Sequence, residues 1–241
     1  ISPLSTAMEC DNAGVLVGYG KAEVTKAWVT RDITAQSVRQ ARGKGAQLIV
    51  SHHPVIFHPL KRRLSNSVPY LLAKEGIGAI CAHTNLDMAP GGVNDCLAAA
   101  LGLSGRMGVA FYGELPCCVM GTLAQPMEPK SFAAFVKERL SCEGIRYVAG
   151  NRPVRKVALC SVAGVEFLFD AMGKGADAFV TGEVKHHEIL AAKEAGLTLV
   201  DGGHFKTEDI AMEPLRERLS RAFPGIEFFL EENAGDGIRY L

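Results

Sequence analysis

The chain has 241 residues, 26 basic and 26 acidic side chains, and a formal net charge of zero, with 48% apolar and 22% charged residues. That is the balance of a soluble globular protein. With neither sign dominant, it also argues against an extended electrostatic grip on nucleic acid or an anionic membrane. No apolar run approaches the roughly 20 residues that span a bilayer. The first residues, Ile1 to Cys10, lack the basic and apolar regions of a signal peptide, and the bulky Ile1 suggests that a short segment precedes it. The seven cysteines (Cys10, Cys81, Cys96, Cys117, Cys118, Cys142 and Cys160) are odd in number, irregular in spacing and without a C-x-x-C. Reduced thiols in a cytoplasmic protein are expected, not a disulfide framework or a thiolate zinc site.

Short apolar runs alternate with helix-length segments. Ala27–Thr30, Gln47–Ser51 and Gly78–Ala82 read as buried strands, with helices at Thr34–Lys44, Val68–Lys74 and Val93–Leu101. Val109 to Ala124, apolar and punctuated by Gly113, Pro116 and Gly121, reads as strands crossing between two lobes. Then Val157–Ser161, Ala178–Thr181 and Leu197–Val200 repeat the strand pattern, with helices near Val165–Lys174 and His187–Ala195. Phe205–Ala222 reads as a longer closing helix kinked at Pro214. Alternation of this kind predicts an α/β fold with mostly parallel, covered sheets. The expected lobes are residues 1–108 and 109–241, with no inserted domain.

The lobes look related. Lys26–Ser51 aligns without a gap on Lys156–Thr181 at an offset of 130, with seven of 26 positions identical, among them Gly43-Lys44-Gly45-Ala46 against Gly173-Lys174-Gly175-Ala176. Lys74-Glu75 then matches Lys193-Glu194. The next strand leads to His83 in one lobe and His204 in the other, each followed four residues later by an acid, Asp87 or Glu208.

All seven histidines lie in three windows, each after an expected strand. These are Ser51-His52-His53-Pro54 with His58, His83-Thr84-Asn85-Leu86-Asp87, and Gly182–Glu188 together with Asp201–Glu208. Any one of them can be a satisfied core histidine. Strand ends carrying imidazole and carboxylate together, however, offer the ligand set of Zn, Mn, Fe or Ni. His52 and His53 can share an ion if the chain turns at Pro54, or face two different ions if it stays extended. His204 and Glu208 lie on one face if a helix begins near His204. Asp87 has two oxygens and can bridge two ions, and such a pair can acidify a shared water. The turn Pro90–Asp95 can be an anion site or a plain helix start. Lys61-Arg62-Arg63 can be a phosphate clamp or a solvated loop. No Walker loop, G-x-G-x-x-G after a strand or G-x-S-x-G elbow is present.

Taken in order, Ser51-His52-His53-Pro54-Val55-Ile56-Phe57, His83-Thr84-Asn85-Leu86-Asp87 with Gly91-Gly92-Val93-Asn94-Asp95, Thr181-Gly182-Glu183-Val184-Lys185-His186-His187 and Gly203-His204-Phe205-Lys206-Thr207-Glu208 resemble the dinuclear metal-centre proteins of the GTP cyclohydrolase 1 type 2 (YbgI-like) family. The resemblance covers almost the whole chain from Asp11-Asn12-Ala13-Gly14 onward and includes Asp32. It implies two similar α/β lobes with a dinuclear metal site between them, and a homohexamer. It further implies two divalent ions per chain held by His52, His53, Asp87, His204 and Glu208, with His83 beside them and His187 as a pocket histidine. The implied reaction on the small-molecule substrate is attack of metal-activated water on the imidazole ring of GTP with release of formate, His187 or His83 moving the proton. A dinuclear phosphoesterase or amidohydrolase, or a non-catalytic metal-binding regulator or scaffold, fits the same residues. Three departures touch the pocket and leave the five ligands intact: Cys10 where the family has Trp, Cys160–Gly164 for a glycine- and serine-rich turn, and Glu183 for Asp.

Overall fold

The structure, a computed structural model, describes residues 1–18, 20–62, 64–161, 164–232, 235 and 237–240. It contains two compact units, residues 1–89 with 212–235, and residues 90–211 with 236–241. The first holds β1 (Gly14–Val17), β2 (Lys26–Thr30), α1 (Ala35–Gly43), β3 (Leu48–Ser51), α2 (Val68–Glu75), β4 (Gly78–Cys81) and α3 (Thr84–Met88). The second holds α4 (Val93–Ala100), β5 (Ser104–Tyr112), β6 (Leu115–Met127), α5 (Pro129–Arg139), β7 (Arg146–Val148), β8 (Val154–Leu159), α6 (Leu168–Gly173), β9 (Ala178–Thr181), α7 (His186–Ala195), β10 (Thr198–Asp201) and α8 (His204–Asp209). The chain then returns to the first unit with α9 (Met212–Ala222) and β11 (Glu227–Leu230).

These units differ from the lobes expected at 1–108 and 109–241. The first boundary falls after Ala89, and the C-terminal α9 and β11 belong with the N-terminal strands, because β11 pairs in parallel with β2 from Glu227↔Lys26 to Leu230↔Val29. The closing helix expected over Phe205–Ala222 is two helices, parted at Ile210–Ala211 where the chain changes unit. Pro214 makes no kink. It sits in the first turn of α9, where its missing N–H costs nothing.

In the first unit the sheet order is β1-β4-β3-β2-β11, all parallel except β1. Trp28, Ile49, Leu72 and Ala79 form its core. In the second unit the order is β5-β6-β8-β9-β10-β7, with β8, β9 and β10 parallel. Alternate residues of those three strands supply two cores. Val157, Leu159, Val180 and Val200 pack with Phe132 and Leu97 on one face, while Ala158, Phe179 and Leu199 pack with Leu168 and Ala192 on the other. Burial on both faces is why these strands read as continuous apolar runs.

The internal repeat is present in the backbone. Ala27 pairs with Leu48 and Val157 with Ala178, the same register displaced by 130 residues. Both helices before the second strand end alike. Gly45 (φ 72°) and Gly175 (φ 83°) take the left-handed conformation, and Ala46 N and Ala176 N donate to Ala41 O and Ala171 O. Only glycine enters that region at no steric cost, so the G-K-G-A run is a helix stop used twice. Among the described residues, no helix is long and apolar enough to cross a membrane.

Candidate metal centre

In the first unit β3 ends at Ser51, and His52 and His53 follow in a bend with their rings 5.0 Å apart. The chain has left the extended conformation, so the adjacent rings stand side by side. His83, the N-cap of α3, brings a third ring to 5.4 Å from His52 and 5.5 Å from His53. Each Nδ1 is tied back to a fixed acceptor: His52 to Ala82 O at 2.9 Å, His53 to Asp32 Oδ1 at 2.7 Å, and His83 to Asp11 Oδ1 at 2.8 Å. A carbonyl or carboxylate only accepts, so Nδ1 carries the proton and the lone pair of the neutral ring is on Nε2. His52 Nε2 lies 3.5 Å from Asp87 Oδ1, the His52 side chain being fully buried.

The tethering carboxylates are ionised near neutrality. Burial raises the Asp32 carboxyl, but the hydrogen bond from His53 and the Arg31 charge outweigh it, and the pKa falls below the ordinary value. Asp11 behaves likewise: burial raises it, and hydrogen bonds from Thr84 and His83 bring it down. Cys81 lies behind His52, its Sγ donating to His52 O. Burial, then the Asp11 charge, pushes its thiol up to about 12, and burial does the same to Cys118. At pH 8 roughly one such thiol in ten thousand is the thiolate nucleophile. A maleimide should therefore label the exposed Cys10 of the native protein and leave Cys81 and Cys118 intact. Peptide mapping that found Cys81 labelled as fast as Cys10 would contradict this.

In the second unit β10 ends at Asp201, which is held by Arg146 and accepts from Gly203 N at 3.0 Å. Gly203 (φ 79°) turns the chain and α8 starts at His204. Glu208, one turn on, has a fully buried side chain, and its Oε1 is 3.1 Å from His204 Nε2. His204 Nδ1 is 2.9 Å from Glu183 Oε1. A neutral imidazole has one proton and cannot donate to both carboxylates. A second proton or a cation beside Nε2 resolves the arrangement. His204 also borders a cavity of about 570 Å³ with Arg146, Glu183, Lys185, Glu188 and Tyr240.

The expected equivalence of His83 with His204 is displaced by one residue. Ala82 N donates to Ser51 O as Gly202 N donates to Thr181 O, and His83 caps α3 where Gly203 caps α8. His83 therefore corresponds to Gly203 and Asp87 to Thr207. The structure does not bring His187 to the cavity beside His204: it stands at the start of α7 with its side chain 77% exposed. The Pro90–Asp95 turn is a plain helix start, since Asp95 Oδ2 accepts from Gly91 N at 2.7 Å. Lys61 and Arg62 are exposed, and Arg63 lies outside the described residues, as do Val162 and Ala163 of the altered turn. The tethering parts played by Asp11, Asp32 and Glu183 were missed at the sequence level. The resemblance includes all three residues without giving them this part.

A sequence model of the Duf34/NIF3 (NGG1p interacting factor 3) family matches residues 1–234. A protein of Clostridium perfringens named GTP cyclohydrolase 1 type 2 homolog is 28% identical, over 100% of this chain and 95% of its own. One of the same name from Lactococcus lactis is 32% identical over 84% of this chain and 81% of its own. A crystal structure of a Staphylococcus aureus hypothetical protein superposes with a TM-score of 0.92 at 28% identity, covering 99% of this chain and 95% of that one.

Proposed function

Because the chain belongs to the Duf34/NIF3 family, we propose that it is a dinuclear metal-dependent hydrolase of the kind its relatives' name describes, with GTP as the substrate. His52, His53, Asp87, His204 and Glu208 hold two divalent ions per chain, drawn from Zn, Mn, Fe or Ni. One observation carries the reading. In each unit an imidazole is tied back through Nδ1 and presents Nε2 beside a carboxylate: His52 at 3.5 Å from Asp87 and His204 at 3.1 Å from Glu208. Tethering of this sort fixes tautomer and ring orientation and raises ligand basicity, and the nitrogen and oxygen donors suit borderline divalent metals. When bound, such ions acidify water and polarise an electron-rich substrate atom.

The protein's own groups do the rest. Asp32, Ala82 O and Glu183 keep the Nε2 atoms aimed. His83, its Nδ1–H given to Asp11, has Nε2 as the proton acceptor and acts as general base. His187, the second histidine to which the resemblance assigns a pocket role, is the other candidate for moving a proton. The assembly is proposed to be a homohexamer, which light scattering at micromolar concentration tests; a monomer there refutes it.

The decisive experiment uses protein purified without chelator, and again after reloading with each of the four metals. Elemental analysis should find about two ions per chain, as a two-metal site needs. Incubation with GTP should release formate and develop pterin fluorescence. One ion or fewer after reloading defeats the dinuclear centre. Two ions with no formate under any metal defeat the GTP reaction alone.

A further inference from the structure

In the first unit β2 ends at Thr30, and the chain bends at Arg31 and Asp32 before Thr34 caps α1. Neighbouring side chains of an extended strand point to opposite faces; the bend brings these two together. Arg31 Nη2 lies 2.5 Å from Asp32 Oδ2, with the Arg31 side chain 11% exposed and that of Asp32 41%. The other oxygen, Oδ1, is the one that meets His53 Nδ1 at 2.7 Å. Arg31 also reaches His53 through the backbone. His53 N donates to Arg31 O at 2.9 Å, just past the last β2–β3 pair at Thr30↔Ser51.

The three tethers in this unit differ in how they are fixed. His52 leans on a backbone carbonyl, Ala82 O. Asp11 is 1% exposed and takes four donors: His83 Nδ1, Asn12 N, Thr84 N and Thr84 Oγ1. Asp32 has its peptide held, since its carbonyl accepts from Thr30 Oγ1 at 2.9 Å and from Ser37 Oγ at 3.2 Å. A held peptide still leaves both side-chain torsions of an aspartate open, and at 41% exposure water competes for the carboxylate. The guanidinium supplies the missing restraint. It is planar, always charged, and holds a carboxylate in a set orientation. The restraint is mutual, because a cation as buried as Arg31 is costly without its partner.

We propose that Arg31 is a positioning residue for His53. By gripping Asp32 Oδ2 it keeps Oδ1 on the ring Nδ1–H and Nε2 aimed at the metal, a part that rests on the proposed role of His53 as a ligand. Arg31 acts through Asp32 and is no ligand itself, since a guanidinium keeps its protons.

Ring-¹⁵N histidine spectra of the metal-free protein at pH 8 read the effect directly. The parent should carry the His53 proton on Nδ1. Arg31→Met removes the charge and should move the ring toward the Nε2–H tautomer, because the tautomer follows the bond that Nδ1 makes, while circular dichroism stays that of the parent. Zinc alone, titrated into the same protein, should bind about tenfold more weakly. Arg31→Lys keeps the charge without the planar group and should fall between parent and Arg31→Met; it carries the test where Arg31→Met does not fold. Asp32→Asn should lose at least as much zinc affinity as Arg31→Met, and the double variant no more than Asp32→Asn alone, as residues acting through one another do. A His53 ring still protonated on Nδ1 in Arg31→Met overturns the proposal, and so do zinc losses that add in the double variant. A parent that binds no zinc defeats the metal reading instead, and the metal-free spectra still decide whether Arg31 sets the ring.

Discussion

Asp87→Ala is expected to empty both metal positions, whereas Glu208→Ala empties the one shared with His204. Asp87 stands 3.5 Å from His52 Nε2 with its side chain 14% exposed, and its two oxygens can serve two ions. Glu208 is fully buried one helical turn from His204. A buried carboxylate without a cation is costly, so the metal-free variants should fold at least as well as the metal-free parent. What they should lose is the gain from metal, about 4 kcal/mol at a thousandfold excess over Kd. Melting with and without metal measures this, beside elemental analysis. Asp32→Asn and Glu183→Gln remove only tethers and should weaken metal by about 10–100-fold. His187→Ala should keep both ions, since its side chain stands exposed at the start of α7, and His58→Ala should change neither metal nor turnover. Both ions surviving Asp87→Ala would sink the bridging role. Metal lost from His187→Ala as completely as from His204→Ala would sink the division between ligand and shuttle.

The parts of the fold legible in sequence are those whose physics is local. β2, β3, β4, β8, β9 and β10 are apolar on both faces, and the two G-K-G-A stops mark the ends of α1 and α6. β7, three residues with Arg146 and Tyr147 exposed, carries no such pattern. Nor does β1, an antiparallel edge with Val15 outward. Phe228 and Phe229 lie in β11, a strand that exists only through β2, some 200 residues away in the chain. The same limit governs the site. Imidazole and carboxylate at strand ends are uncommon enough to notice. Which nitrogen is tethered depends on Ala82 O, Asp32 and Glu183, whose proximity no spacing encodes. The one-residue displacement of His83 against His204 arises because a histidine caps one helix and a glycine the other.

Asp11→Ala is expected to cost about 1–3 kcal/mol, the penalty for leaving buried donors without their acceptor. The Asp11 side chain is 1% exposed. Its Oδ1 accepts from His83 Nδ1 at 2.8 Å and Asn12 N at 2.6 Å, and its Oδ2 from Thr84 N at 3.0 Å and Thr84 Oγ1 at 2.6 Å. Thr84 Oγ1 in turn accepts from Met8 N, so the N-terminal segment is fastened through this carboxylate. Removing it strands the donors and frees the His83 ring. The pH dependence has a definite sign. Burial raises the Asp11 carboxyl, the Thr84 and His83 bonds more than offset it, and the folded pKa lies below the unfolded value. The unfolded chain therefore takes up the proton first. The contribution is complete above the unfolded pKa of about 3.9 and is lost as pH falls through the folded one. Urea titrations in chelator should show parent and variant far apart at pH 7 and converging through the carboxylate range. Asp11→Asn, which keeps an acceptor oxygen but no charge, should fall between them at pH 7 and show a shallower acid limb than the parent. A parent–alanine gap that stays the same from pH 7 into acid would show that these bonds are not made to the ionised carboxylate.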